Sequence, residues 1–389
     1  MPKSSAQLLN ASEAIALTIN RLNVGVVSAY PITPQTKIVE RLAALQAEGQ
    51  GKFEFVRAES EFAAASIVLG AAAAGIRAYT ATSSQGLLMM LEVLYNIAGL
   101  RLPVVITCAN RSISAPLNIW NDHSDVMAAR DAGWLLFFAE NNQEAVDQHV
   151  LAYKLAEKLN IPAMVNVDGF ILTHMSEAVK LPEPAWLKKF LPAVKTSANH
   201  LNPAKPETLG YLVGPKDFYK FRRQLDLDLS AAAKLINQEY KNYQRLSGAK
   251  PTANTLINNG LVEYYGPAKA QTVFVAMGSV VGTIKTAIDE YNRRPLKFNQ
   301  AAVLKIKTFR PWPTAELQSL LNNQRVIVIN KAISAGSLPP LSSEIAAALS
   351  ASKVKLQHVV AGLGGQDITI DHILKLIKTK NDNKVLYLE

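Results

Sequence analysis

Cysteine is nearly absent from this chain, whose 389 residues include only Cys108. A single cysteine forms no internal disulfide bond, and it cannot supply the ligand set of an iron–sulfur cluster or of a cysteine-ligated zinc site. Any cluster chemistry in which the protein takes part would need cysteines from another chain.

Long apolar runs are missing as well, because charged residues, proline or glycine interrupt each stretch before it reaches the length of a membrane span. The amino terminus lacks the basic-then-apolar pattern of a secretory signal. The hydrophobic content of 49% still allows a large buried core. These features predict a protein without a membrane segment, located in the cytoplasm.

The net charge of +10 is not arranged as a nucleic-acid-binding surface. Lysine and arginine are scattered, and no basic run with interleaved aromatic residues occurs. We therefore expect no nucleic-acid partner, and interpret the excess charge as a solvated surface or as a face for an acidic partner.

Three common catalytic signatures are also absent, namely the nucleophile elbow, the phosphate loop and the dinucleotide glycine fingerprint. The glycine-rich stretch Gly362–Asp367 lacks the fingerprint spacing. A tight turn before the final helix is the interpretation that we prefer for it.

The sequence does contain a regular alternation of short apolar segments with segments of helical length, from Ala6 to about Val167. This pattern predicts a doubly wound α/β domain, a parallel sheet with helices on both faces. The predicted strands are Val24–Ser28, Phe53–Val56, Ile76–Thr80, Val104–Cys108, Trp134–Phe138 and Ala163–Val167. The predicted helices include Leu8–Leu22, Ser60–Ala74, Gly86–Gly99 and Gln143–Leu159.

After Gly169 the pattern changes to a proline-broken connection and then a long helical segment from about Pro215 to Tyr243. A second, smaller α/β unit begins near Thr272. Its predicted elements are strands Thr272–Met277, Ala302–Thr308 and Arg325–Ile329, a helix to about Tyr291 and a helix over Ser342–Ser350. We divide the chain into a first domain (1–175), a connection (176–260) and a C-terminal domain (261–389).

Polar residues follow three successive predicted strands. The three segments are Tyr30-Pro31-Ile32-Thr33-Pro34, Glu59-Ser60-Glu61 and Thr82-Ser83-Ser84-Gln85-Gly86. Taken singly, each has an ordinary explanation as a helix cap or as an acidic first turn. Because the carboxyl ends of parallel strands meet at one edge of the sheet, the three together favour a ligand-binding cleft.

The fourth strand is followed by Asn110-Arg111 and an irregular loop to Trp120. An arginine in this position is either a surface charge or a planar fork that grips a carboxylate. Asp122, His123 and Asp125 are metal-ligand types, but a helix cap with a hydrogen-bonded histidine is the favoured interpretation.

These motifs, together with Asn118-Ile119-Trp120-Asn121-Asp122-His123, resemble the α subunits of 2-oxoacid:ferredoxin oxidoreductases, and within that family most of all the pyruvate:ferredoxin oxidoreductases. Phe309-Arg310-Pro311, Asn330–Ser334 and Gly362–Thr369 extend the resemblance over nearly the whole chain. It implies a thiamine diphosphate-binding-type first domain, on the pyrimidine side of the cofactor. The smaller C-terminal α/β domain would be like the C-terminal domain of transketolase.

The resemblance also implies residue roles. Glu61, in preference to Glu59, would hydrogen-bond the aminopyrimidine ring of thiamine diphosphate. Thr33 would contact the substrate, and Arg111 would bind the oxoacid carboxylate. The further cofactor-binding residues would be Tyr30, Pro31 and Ser84.

The implied reaction is the reversible oxidative decarboxylation of pyruvate with coenzyme A, giving acetyl-CoA and CO2 and passing electrons to ferredoxin. Because the chain has no cluster cysteines and no recognisable Gly-Asp-Gly…Asn site, Mg²⁺ and [4Fe-4S] clusters are expected in partner subunits of β, γ and ferredoxin-like δ type. Thiamine diphosphate would be shared with the β subunit. The second domain is expected to serve assembly, with Gly362–Asp367 or Lys331 touching a partner or coenzyme A.

Two alternatives remain open. One is a related enzyme for another 2-oxoacid, such as a branched-chain one, because Thr33 and Arg111 suit any 2-oxoacid. Pocket size would then depend on the residues from Ser112 to Trp120. The other is a non-catalytic scaffold subunit, against which the polar residues at three strand ends argue.

Overall fold

The computed structural model describes residues 5–193, 200–250, 253–293, 300–379 and 384–389. These residues form two large sheets and one short two-stranded sheet. No helix within these ranges is both long enough and apolar enough to cross a membrane.

The first large sheet has the strand order β13-β6-β7-β5-β4-β2-β3, and β2 to β7 are mutually parallel. Its strands are β2 (Val26–Ala29), β3 (Glu54–Arg57), β4 (Ala78–Thr82), β5 (Val105–Asn110), β6 (Leu135–Phe138), β7 (Ala163–Asp168) and β13 (Thr308–Arg310). The helices are α1 (Ala11–Arg21), α2 (Thr36–Ala47), α3 (Glu61–Ala73), α4 (Ser84–Gly99), α5 (Ser124–Ala129) and α6 (Asn142–Leu159). The predicted doubly wound parallel sheet is confirmed.

The first helix begins later than predicted. Residues Gln7–Asn10 form strand β1, which pairs antiparallel with β8 (Ser176–Val179). The helix starts at Ala11 because the Asn10 side chain accepts a 2.9 Å hydrogen bond from the backbone N–H of Glu13. Such a cap satisfies one of the amide donors that a helix start leaves free.

The connection contains α7 (Pro184–Phe190) and the 33-residue helix α8 (Pro215–Ser247). Helix α8 packs on α4 and α6 of the first domain. It ends at Gly248, whose φ of 72° lies in the left-handed region that glycine adopts without strain. The predicted long helix is therefore present and extends past Tyr243.

The second large sheet has the order β16-β15-β14-β11-β12-β10-β9. Its strands are β9 (Thr255–Asn258), β10 (Val262–Tyr265), β11 (Thr272–Ala276), β12 (Ala301–Ile306), β14 (Arg325–Asn330), β15 (Lys355–Val360) and β16 (Leu386–Tyr387). The helices are α9 (Val280–Asn292), α10 (Thr314–Leu320), α11 (Pro340–Ala348) and α12 (Ile370–Lys378), with a 3-10 turn at Leu363–Gly365. Strand β9 is part of this second sheet, although it lies within the range 176–260 that the sequence analysis gives to the connection.

The two domains are packed into one body. The predicted strand Ala302–Thr308 is in fact two strands, since the chain leaves the second sheet after β12 and β13 pairs antiparallel with β6 of the first. Phe309 then packs on Phe138 in a hydrophobic core that both domains share. Beside it the buried Lys305 ammonium bridges Glu140 of the first domain at 2.6 Å and Glu263 of the second at 3.1 Å.

Candidate functional site

The loops after β2, β3, β4 and β5 meet at the carboxyl edge of the first sheet, as the parallel arrangement requires. Thr33 lies in the loop after β2, Glu61 is the first residue of α3, and Arg111 directly follows β5. The structure therefore collects the three predicted catalytic residues at one edge.

Glu61 is buried, with 7% of its surface exposed, whereas the neighbouring Glu59 is exposed. Helix α3 starts here because the Ser60 hydroxyl accepts a 3.1 Å hydrogen bond from the N–H of Ala63. No hydrogen bond to the Glu61 carboxylate comes from the part of the chain that the structure describes. Because no described group hydrogen-bonds this carboxylate, its accepting positions are open to a ligand or to water.

Gly86, in the first turn of α4, allows Glu61 to occupy this position. A Cβ atom on Gly86 would lie 2.7 Å from Glu61 Oε1 and 2.5 Å from Thr82 Oγ1, distances too short for real contacts. Thr82 Oγ1 is itself buried and has no hydrogen-bond partner among the described residues. The Glu61 carboxylate and the Thr82 hydroxyl thus both lie next to Gly86, near the ends of β3 and β4.

Arg111 is held by two carbonyl groups. Its Nη1 donates to the backbone oxygen of Thr33 and its Nε to that of Asn118, both at 3.0 Å. Burial lowers the pKa of the guanidinium while Asp125 opposes that shift, and arginine remains charged in either case. Because a guanidinium has five N–H donors, this one keeps donors for an anion.

Thr33 does not cap α2, contrary to the ordinary explanation of Thr33-Pro34. The helix begins at Thr36 with Gln35 as the cap residue, and Gln35 Nε2 donates to the carbonyl of Ala81 at 2.6 Å. This bond ties the turn to the end of β4. Thr33 is exposed at the sheet edge, together with Tyr30 and Pro31.

Asp125 joins the loops that follow β4 and β5. Its fully buried carboxylate accepts the N–H of Ser84 at 3.1 Å, the N–H of Arg111 at 2.9 Å and the side-chain amide of Asn110 at 3.0 Å. Burial raises the pKa of Asp125, and these hydrogen bonds offset only part of that rise. The Ser84 hydroxyl is buried as well and lies within hydrogen-bond reach of the Ser112 carbonyl.

His123 is the cap residue of α5, and its Nε2 lies 2.7 Å from Asp168 Oδ1 at the end of β7. This agrees with the helix-cap interpretation. Asp168 was missed in the sequence, although it follows an apolar strand just as the recognised polar residues do. The same signal, a polar residue at a strand end, would have found it.

Two family models match the chain. Residues 18–241 match the pyruvate flavodoxin/ferredoxin oxidoreductase, thiamine diphosphate-binding model, and residues 270–373 match core domain II of pyruvate:ferredoxin oxidoreductase. Pyruvate synthase subunit PorA of Methanocaldococcus jannaschii is 41% identical over 95% of this chain and 94% of its own length. The Thermotoga maritima PorA is also 41% identical, over 94% of this chain and 92% of its own length.

A ketoisovalerate oxidoreductase subunit, VorA of Pyrococcus furiosus, is 36% identical over 95% of this chain and 92% of its own length. Among solved structures, the 2-oxoglutarate:ferredoxin oxidoreductase from Magnetococcus marinus, with 2-oxoglutarate, coenzyme A and succinyl-CoA bound, has a TM-score of 0.71. That match is 20% identical and covers 96% of this chain and 65% of the other. This structural match supports the α/β fold described above.

Proposed function

The chain belongs to the pyruvate flavodoxin/ferredoxin oxidoreductase family, and from this premise we propose that it is the α subunit of a pyruvate:ferredoxin oxidoreductase. The assembled enzyme oxidatively decarboxylates pyruvate with coenzyme A, in a reversible reaction that gives acetyl-CoA and CO2 and reduces ferredoxin. The observation that carries the proposal concerns Glu61, a buried residue whose carboxylate no described residue hydrogen-bonds, at the edge that also holds Thr33 and Arg111.

We propose that the Glu61 carboxylate hydrogen-bonds the aminopyrimidine ring of thiamine diphosphate. A carboxylate that receives no hydrogen bond from the described residues can share a proton with a ring nitrogen throughout a catalytic cycle. When bound, the cofactor supplies the nucleophilic carbon and the electron sink that decarboxylation needs. Glu61 would hold and move the proton at the pyrimidine nitrogen. Tyr30, Pro31 and Ser84 are proposed as further cofactor-binding residues. Ser84 is buried, and its role would be to hold the start of α4 in place through its contact with the Ser112 carbonyl.

Arg111 and Thr33 suit a small 2-oxoacid. The guanidinium supplies a permanent positive charge and paired donors for a carboxylate. The exposed Thr33 hydroxyl, beside the carbonyl that Arg111 binds, would donate to the keto oxygen as negative charge develops on it. Because one hydrogen bond joins Arg111 to Thr33, the group that would bind the carboxylate and the group that would bind the keto oxygen are held in a fixed relation to each other.

The remaining components of the enzyme are assigned to other chains. We propose that thiamine diphosphate is shared with a β subunit, that Mg²⁺ and the [4Fe-4S] clusters lie in partner subunits, and that γ and ferredoxin-like δ subunits complete a cytoplasmic complex. Within this chain we propose the division into residues 1–175, 176–260 and 261–389.

A related enzyme acting on a branched-chain 2-oxoacid is the second candidate, supported by the 36% identity to the ketoisovalerate oxidoreductase subunit. Thr33 and Arg111 serve either substrate, so the distinction lies with the residues from Ser112 to Trp120. A purely structural scaffold gives no reason for a buried Glu61 to which no described residue donates a hydrogen bond.

The deciding experiment is anaerobic purification of the tagged chain with its native partners, followed by coenzyme A-dependent dye reduction on a panel of 2-oxoacids. Strong activity with pyruvate supports the proposal. A preference for a branched-chain oxoacid supports the second candidate. Absence of any oxoacid-dependent reduction in a complex that contains its partners would overturn both.

A further inference from the structure

Residues 112–123, here called the substrate loop, follow Arg111 and contain its partner Asn118. The loop is closed on itself, since the N–H of Ser112 donates to the carbonyl of Trp120 at 3.0 Å. The Asn118 side-chain oxygen also accepts from the Ser112 hydroxyl and from the N–H of Trp120, each at 2.7 Å. These bonds give the loop its shape but do not orient it towards the rest of the cleft.

The second domain contributes to the orientation of the loop, beside the bonds that Ser84 and Asn110 of the first domain make to Ser112 and Asn121. The Lys331 ammonium, directly after β14, hydrogen-bonds the side-chain oxygen of Asn121, and the carbonyl of Lys331 accepts the N–H of His123 at 2.7 Å. At the other side of the loop, Asn118 Nδ2 donates to the carbonyl of Gly364 at 3.1 Å. The N–H of Gly364 in turn donates to Asp122 at 3.2 Å.

Lys331 is itself immobilised by charge. Its buried ammonium lies 2.9 Å from Asp168 Oδ2 of the first domain, and the N–H of Ser279 donates to the same oxygen at 3.0 Å. Burial alone would raise the pKa of Asp168, but Lys331 and His123 bring it well below its usual range. Asp168 therefore stays ionised at neutral pH, and one lysine contacts both Asp168 and the substrate loop.

The glycine-rich turn at the end of β15 fits the loop closely. Gly364 and Gly365 have φ values of 57° and 85°, which other residues rarely adopt. A Cβ atom on Gly364 would lie 2.9 Å from Asn118 Nδ2, and one on Gly365 would lie 2.3 Å from Trp120 Cβ. The glycines thus serve close packing between the domains, which accounts for a glycine-rich segment without a phosphate-binding fingerprint.

We propose that Lys331 is a positioning residue, which with the Gly364 turn holds the substrate loop so that Asn118 and Thr33 keep the Arg111 guanidinium in its substrate-binding orientation. The second domain then contributes to oxoacid binding as well as to assembly. The role of Arg111 in this inference rests on the proposed function. The physical basis of the positioning role is that a guanidinium must be held to within a fraction of an ångström to bind a carboxylate with paired hydrogen bonds.

The test uses Lys331→Met in the purified native complex, because methionine keeps an unbranched side chain only one heavy atom shorter than lysine, without its charge and donors. The expected result is a KM for the 2-oxoacid raised about tenfold with kcat changed by less than about threefold. Hydrogen–deuterium exchange of residues 112–123 should become faster. Lys331→Arg, which keeps the cation, should recover part of the affinity.

The matched control is Lys285→Met. Lys285 also bridges the domains, at 2.8 Å from Glu140 and 2.6 Å from Glu263, but it has no contact with the substrate loop. This variant should leave KM and the exchange of residues 112–123 unchanged. An equal rise in KM for Lys285→Met would overturn the proposal, because any loosening of the interface would then produce the effect.

A second variant covers the case in which Lys331→Met does not assemble. Gly364→Ala changes no charge and should raise both the KM and the exchange of the loop. Unchanged KM or unchanged loop exchange in the assembled variants would overturn the positioning role while oxoacid turnover by the unmodified complex remains. Absence of turnover in the unmodified complex is a separate result, which would contradict the proposed function. In that case the hydrogen–deuterium exchange of residues 112–123 would still decide whether the second domain holds the substrate loop.

Discussion

Arg111 Nη1 donates a 3.0 Å hydrogen bond to the backbone carbonyl oxygen of Thr33. The two residues are 78 positions apart in the chain and lie in the loops after β5 and β2, with the end of β4 between them. The bond therefore spans the edge of the sheet where the polar loops meet. It couples the position of the guanidinium to that of the Thr33 hydroxyl.

Arg111→Lys is expected to raise the KM for the oxoacid by about 10- to 100-fold with a smaller effect on kcat. A lysine ammonium is a compact point charge, and it cannot reproduce the fork that bonds Thr33 and Asn118 and still has donors for a carboxylate. Arg101→Lys is the control, since Arg101 also donates to two carbonyls, those of Leu159 and Asn160. Steady-state kinetics of the two complexes decides, and an unchanged KM for the Arg111 variant would contradict the assignment.

Gly86→Ala is expected to lower kcat by at least about tenfold, because the added methyl group would displace the Glu61 carboxylate. Gly99→Ala in the same helix is the matched control, since a Cβ atom there meets nothing within 4 Å. That control should keep full activity and gain up to about 1 kcal/mol of helix stability. Equal activities of the two variants would show that the position of Glu61 is unimportant for catalysis.

Asp147 links α6 to the long helix α8 and gives a prediction about pH. Burial raises the pKa of Asp147 to about 6, although the Tyr243 hydroxyl donates to it at 2.6 Å. The folded state thus binds this proton more tightly than the unfolded state. The contribution of Asp147 to stability is present at low pH and is lost as pH rises from about 4 to about 6.

Asp147→Asn stays neutral at every pH. The free energy of unfolding of this variant, relative to that of the unmodified protein, should therefore increase between pH 4 and pH 7, by up to about 3 kcal/mol. Asp217→Asn, at an exposed position of α8, should show no comparable trend. Thermal unfolding at the two pH values measures the difference, and a constant difference for the Asp147 variant would refute the shifted pKa.

The first sheet was largely predictable from the sequence. The six predicted strands of the first domain agree with β2 to β7 to within two residues at each end, because each is a short apolar segment followed by polar turn residues. Strands β1 and β13 were not predictable in this way. Their pairing partners, β8 and β6, are distant in the chain, and Leu8 in β1 is 75% exposed, so neither strand carries a strong local signal.

The site was predictable in its residue types but not in its connections. Sequence position placed Thr33, Glu61 and Arg111 at strand ends, yet it gave no sign that Asp125 binds the backbone at both Ser84 and Arg111. The contact of Lys331 with Asn121 also depends on the packing of one domain against the other. Such links arise from tertiary structure, which no local pattern specifies.

The most direct test of the active-site assignment compares Glu61→Gln with Glu59→Gln in the native complex under anaerobic conditions. Glutamine keeps the size of the side chain but cannot take up and return a proton, and the control residue Glu59 is exposed whereas Glu61 is buried. We predict that kcat for oxoacid-dependent dye reduction falls by about 100-fold or more in the Glu61 variant and stays unchanged in the Glu59 variant. Full activity of an assembled Glu61→Gln complex would contradict the assignment.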